Sequence, residues 1–160
     1  MAKFLFNVQG LYALNEEEIQ MIRNTSRSQL MKRLGAKPQN SDGGWCAVNE
    51  TERKVFLSVW TDSRGVRSGD NEVSYLVQEP DWGICSETGK KSQTRKRHDE
   101  NLKKIFEEGY DAYGYFVVPD TTQGDARLIK ETKTSFIFSF ELARREDGTV
   151  LGYPKYRLDL

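Results

Sequence analysis

Asp120, Glu131 and Lys133 lie within the stretch YFVVPDTTQGDARLIKETK, residues 115–133. Two carboxylates on neighbouring strands can hold Mg²⁺ through hard oxygen ligands. A lysine two residues beyond the second acid points to the same sheet face, because strand side chains alternate. There it would orient or activate a water while the metal stabilises charge on a phosphate. The same letters also describe a charged hairpin. Asp120 closes an apolar strand beside a TTQGD turn, and Glu131 and Lys133 have the parity opposite to Phe136, Phe138 and Phe140. That parity is the solvent face of an alternating strand. The expectation is the hairpin, with Asp120 turned to water, and catalysis by the three residues is the alternative.

A second chemistry-bearing stretch is ETGKKSQTRKRHDENLKK, residues 87–104. It holds Lys90, Lys91, Arg95, Lys96, Arg97, Lys103 and Lys104 against three acids, in a chain that is otherwise balanced. The run crosses a loop into the start of an expected helix, where backbone N–H groups and basic side chains together suit a phosphate. His98, the only histidine, sits inside this run. With no second histidine or nearby cysteine it is read as a phosphate-contacting or surface group, not as a metal ligand or catalytic base.

The third stretch is SVWTDSRGVRSGDNEVSYLVQEPDW, residues 58–82. Gly69-Asp70 leads into an alternating strand carrying Val73 and Tyr75 and ending near Pro80. This element resembles the GD-x-V-x-Y element of PUA-like folds, a superfamily that includes the EVE, ASCH and SRA groups of nucleic-acid readers. The resemblance spans about a dozen residues. It implies a small, mostly β barrel that takes a flipped base between aromatic rings and reads its edge with polar groups. Trp45, Trp60, Tyr75 and Trp82 are the candidates for such a base pocket. Arg64 and Arg67, just before the Gly-Asp turn, are candidates for gripping phosphates beside it. Two further likenesses are local. Residues 119–133 are similar to the PD-(D/E)xK nuclease pattern, and residues 96–118 resemble domains attached to HNH-type restriction proteins.

Composition bounds these readings. Lys plus Arg equals Asp plus Glu at 24 each, so contact with DNA or RNA would have to come from local clustering, not from an overall field. Cys46 and Cys85 have neither a CxxC partner nor a second metal ligand nearby, which excludes a zinc site of the usual spacing and argues against a disulfide scaffold. Both are expected as buried free thiols. The N-terminal MAKFLFNVQGLYAL is too short and too polar for a signal peptide or a membrane span, so the expected location is the cytoplasm, with no membrane partner. Neither a GxGxxG nor a P-loop occurs, and no cofactor is expected.

The elements that must position these residues follow from periodicity. FLFNVQGLYAL reads as a strand bent at Gly10. An Asx cap at Asn15, followed by Glu18, opens a helix that carries Ile19, Ile22, Leu30 and Leu34 and stops at Gly35. Residues 37–44 read as loop. WCAV and KVFLSVW form a hairpin about NETER, and EVSYLVQEP is a strand. A helix runs from about Thr94 to Glu108, with Leu102, Ile105 and Phe106 inward and Gly109 at its end. AYGYFVV is a strand. TSFIFSFEL alternates with Phe136, Phe138, Phe140 and Leu142 on one face, and Asp147-Gly148 turns the chain into a last strand, TVLGYPKYRLDL.

The fold class is therefore α+β: one domain over residues 1–160, with a mostly antiparallel curved sheet or small PUA-like barrel and two main helices. The leading functional reading is a nucleic-acid-binding module that reads a modified base. A small Mg²⁺-dependent nuclease is one alternative. An accessory protein acting through protein contacts, with an effector protein or a fused nuclease domain as its partner, is another.

Overall fold

The computed structural model describes residues 3–5, 27–38, 46–65, 72–120 and 128–160. The expected helix start at Asn15, the bend at Gly10, the Gly69-Asp70 turn, Arg67 and Trp45 lie outside the described residues. Those described form α1 (Arg27–Arg33), α2 (Gln93–Glu108) and nine strands. The strands are β1 (Lys3–Leu5), β2 (Lys37–Pro38), β3 (Cys46–Asn49), β4 (Lys54–Trp60), β5 (Tyr75–Gln78), β6 (Asp111–Asp120), β7 (Leu128–Thr132), β8 (Phe136–Arg144) and β9 (Val150–Asp159). They make one sheet in the order β1-β9-β8-β6-β4-β3-β2, with β5 added to β9 and β7 to β6. All ladders are antiparallel except β4–β6, which runs parallel from Lys54↔Asp111 to Trp60↔Val117. The fold is thus α+β and mostly antiparallel, and among the described residues no ladder joins β1 to β2 to close the sheet.

A parallel pair needs a crossover, because a tight turn cannot reverse the chain twice. Here β5 and α2 both lie within it. The helix is built as its sequence dictates: the Ser92 hydroxyl accepts from the Arg95 N–H at the N-cap, and Gly109 takes the left-handed conformation (φ 76°) that ends the helix. Residues 37–38, read as loop, pair with β3 through two residues that have no periodicity to reveal them.

The sheet is buried on both faces, where one buried face was expected. Val55, Leu57 and Val59 of β4 face Phe116, Phe136, Phe138, Phe140 and Tyr75, and Ile105 of α2 packs on this cluster. Phe56 of β4 joins Tyr115, Val117, Ile137 and Leu158 on the other face, covered by Leu30 and Met31 of α1. Each large apolar group so buried stabilises the fold by roughly 2 kcal/mol. Two glycines make room for the phenylalanine ladder. A Cβ on Gly114 would lie 2.3 Å from the Phe138 ring, and one on Gly152 would lie 2.1 Å from that of Phe140. Pro154 is accommodated beside a bulge in the β8–β9 ladder, where the Ser139 hydroxyl accepts from the Tyr156 N–H (3.0 Å). At the Asp147-Gly148 turn the Asp147 carboxylate accepts from the Thr149 N–H (2.9 Å).

Cys46 is buried, and burial pushes its thiol up to about 12. Cys85 departs from the expected burial and is exposed in the loop before α2. Among the described residues no helix is long and apolar enough to cross a membrane.

Candidate functional site

The β3–β4 ladder ends at the Cys46↔Leu57 pair, and a cleft opens beyond it between β4, β5 and α2. Ser58, Trp60, Leu76, Val77, Gln78, Trp82 and His98 line it, and its volume is about 250 Å³. That is below the ~300–1,000 Å³ of drug-sized pockets, so it has room only for a small ligand.

His98 is 5% exposed and forms part of the cleft wall. Its Nδ1 lies 2.9 Å from Gln78 Nε2, and the same amide nitrogen donates to Asp99 Oδ1 at 3.1 Å. An amide nitrogen only donates, so Nδ1 accepts and the proton of the neutral ring is on Nε2. Flipping the amide would set its oxygen against the Asp99 carboxylate, which fixes the assignment. Burial is the main cause that presses the His98 pKa down to about 4. The Asp99 charge opposes this shift, and the Arg95 charge adds to it. For Asp99 itself burial acts upward, but hydrogen bonds from Lys91, Arg95 and Gln78 outweigh it and hold the carboxyl below its usual range. Trp82 meets the His98 ring edge-on, with centroids 5.5 Å apart.

Arg95 holds the loop that carries Trp82. Its Nη1 fans across the carbonyls of Glu79 (3.3 Å), Pro80 (3.1 Å) and Trp82 (2.5 Å), while Nε donates to Asp99 (2.9 Å). Gly83 (φ 71°) lets this loop press on the helix, since a Cβ there would lie 2.8 Å from the Arg95 Cβ. The Arg95 guanidinium is therefore occupied by protein groups and is buried, where a phosphate contact was expected.

The rest of the basic run does not form one patch, because helical periodicity distributes it around α2. Lys91, Arg95, Asp99 and Lys103 follow one stripe, whereas Lys104 turns the other way to Glu50 (2.6 Å). Lys90 and Lys96 are exposed and Arg97 is half-buried. The stripe borders a second cleft of about 500 Å³, lined also by Gln78, Phe106, Glu107 and Arg144. Lys91 pairs with Asp99 (2.8 Å) and Lys103 reaches Glu107 (4.0 Å). The Arg144 guanidinium lies over the Phe106 ring, 4.6 Å from its centroid. Arg144 and Phe106 are thus surface partners, although Phe106 was expected to point inward.

Of the four aromatic residues proposed for a base pocket, Trp60 and Trp82 line the first cleft. Tyr75 does not. It is 1% exposed and packs on Phe116 in the core, with centroids 5.2 Å apart. Arg64 is exposed after a 3-10 turn (Thr61–Ser63) and bridges to Tyr75. Gln78 was not singled out in the sequence, although a glutamine inside the apolar strand YLVQ was the available signal.

Asp120 closes β6 opposite Leu128, and Glu131 lies across from Val118, two positions away. A bulge between these pairs breaks the register that would carry Asp120 and Glu131 on one regular face. Lys133 follows β7, half-buried, and its N–H donates to the Phe116 carbonyl (2.9 Å). Glu131 is half-buried rather than on an open outer face. Among the described residues no group of three or more His, Cys, Asp or Glu is placed to hold a metal ion.

No protein-family model, curated protein or solved structure matches this chain, so the function of the site is read from its own side chains.

Proposed function

We propose that the protein is a nucleic-acid-binding module of PUA-like type that receives one base in the cleft of Trp60, Trp82 and His98. The observation that carries this is the conjunction of two indoles and a buried, tautomerically fixed imidazole around a space the size of one ring system. Indole faces stack on any base, and a polar group on the wall reads its edge. The approach of β5 to β4 across the Phe116 core supports a barrel of that type. The neighbouring cleft of Lys91, Lys103 and Arg144 supports phosphate contact, because both clefts share Gln78 as a wall.

The test is binding of single- and double-stranded DNA and RNA oligonucleotides across a salt series. A negative slope of log affinity against log salt is expected, with Trp60→Ala and Trp82→Ala each weakening binding by about 5- to 100-fold, as loss of a stacked base does. A slope near zero sinks the reading. Cleavage of the same oligonucleotides in Mg²⁺, abolished by Glu131→Gln, would replace it with the nuclease alternative. Capture of a single protein partner, with no salt-dependent nucleic-acid binding, would replace it with the accessory alternative.

A further inference from the structure

One fact about His98 goes beyond the presence of a ring in the cleft. Its Nε2 has no hydrogen-bond partner among the described residues, although the residue is buried and forms part of the cleft wall. A buried N–H that no described residue uses, in the wall of a cleft, is a demand on whatever enters.

We infer that His98 is the specificity-determining residue of the cleft: its Nε2–H donates to a lone pair on the edge of an uncharged planar heterocycle. Gln78 is a positioning residue. By donating to Nδ1 and to Asp99 at once, it keeps the imidazole in the donor tautomer and keeps the ring fixed in rotation. A ligand with an N–H where the lone pair should be sets donor against donor, and one with an N-methyl group there puts a methyl against the donor; either leaves the Nε2–H unsatisfied. Positively charged N-methylated bases are the instructive competitors, because two indoles alone would favour a cation. His98 reverses that preference. This inference rests on the base-binding reading and adds to it the polarity of the base edge that is accepted.

The experiment uses the whole chain. Because His98 is the only histidine, ¹⁵N-labelled protein has a single imidazole to observe. The probes are cytidine and adenosine 5′-monophosphates, each paired with its N-methylated cationic form, 3-methylcytidine or 1-methyladenosine 5′-monophosphate. Binding is read by tryptophan quenching and by the Nε2–H resonance. At least one unmodified probe is expected to shift that resonance and to bind about 10- to 100-fold more tightly than its methylated partner, the usual cost of leaving a buried donor unsatisfied. His98→Asn offers its amide oxygen to Gln78 but places no N–H at the Nε2 position, and should collapse this discrimination.

If the unmodified probes bind and Trp60→Ala abolishes binding, but methylated probes bind as well or the Nε2–H does not move, the inference falls while the base-binding reading stands. If no probe quenches the tryptophans, both fall. The wild-type resonance and the methylated pairs decide the matter even if the His98 variant fails to fold.

Discussion

Acid is expected to destabilise this protein through one side chain. The His98 pKa lies at about 4 in the folded protein, against 6.5 for a free imidazole. Protonation would place an N–H on Nδ1, facing the Gln78 Nε2 that now donates to it across 2.9 Å. The folded value is the lower one, so the unfolded chain takes up the proton first as the pH falls. The stability is fully present above 6.5 and is lost progressively between 6.5 and about 4. From about pH 7.5 to about pH 5 this group alone removes about 2 kcal/mol, a large share of the ~5–15 kcal/mol that holds a typical domain folded. Asp99 and Glu50 add to the fall only at its acid end. Both carboxyls are held below their usual range, so their contributions begin to be lost near the unfolded values of 3.8 and 4.5 and below, leaving the span from about pH 7.5 to about pH 5 to His98. The assay is urea unfolding followed by tryptophan fluorescence at closely spaced pH values, for wild type and His98→Asn. Between about pH 7.5 and about pH 5 the wild-type curve should fall and the variant curve should be flat. A flat wild-type curve, or a variant that retains the slope, refutes the reasoning.

Two further outcomes follow from the packing. Gly152→Ala places a methyl 2.1 Å from the Phe140 ring and is expected to cost about 1–3 kcal/mol in urea unfolding, with Phe140→Leu in the same chain recovering part of it; an unchanged midpoint would mean that the ring moves freely. Arg95→Met keeps the aliphatic stem but strips the three loop carbonyls of their donor, and is expected to lower stability by about 3 kcal/mol and red-shift the Trp82 emission. Lys96→Met, one residue along and exposed, should leave both unchanged, and equal effects from the two would contradict the assignment of Arg95 to the loop.

Local signals were readable where one element decides its own form. Ser92 and Gly109 bound α2 within a residue or two of expectation, Asp147-Gly148 turns β8 into β9, and the NETER segment joins β3 to β4. Pairings between distant segments were not readable. Nothing in KVFLSVW announces a parallel partner in AYGYFVV, since that neighbour is supplied by a crossover through α2. The second buried face escaped for the same reason. Ile137 and Phe56 are covered by Leu30 and Met31, and only tertiary packing brings α1 there. The site divides along similar lines. Tryptophans near a cleft were open to a guess from residue type. The Gln78–His98–Asp99 connection was not, because it links β5 to a helix stripe that a charge count alone reads as solvated. Arg95 was misplaced by the same count: Lys96 beside it is exposed and Thr94 half-buried, but its own helical phase turns it inward.

The β9 ladder also has a kinetic consequence. Its first residues pair with β5 (Tyr75↔Gly152) and its last with β1 (Lys3↔Leu158), while β8 occupies its other edge. The cleft wall made by β5 is therefore seated by a strand far away in sequence. Contacts of such separation close late and slow folding, because the loop entropy must be overcome before any contact compensates for it. In a refolding experiment, collapse onto the Phe116 cluster should come first and the Trp60–His98 cleft should mature with the β9 docking step. Recovery of ligand binding would then lag behind recovery of compactness, and the cleft would report on the final act of folding.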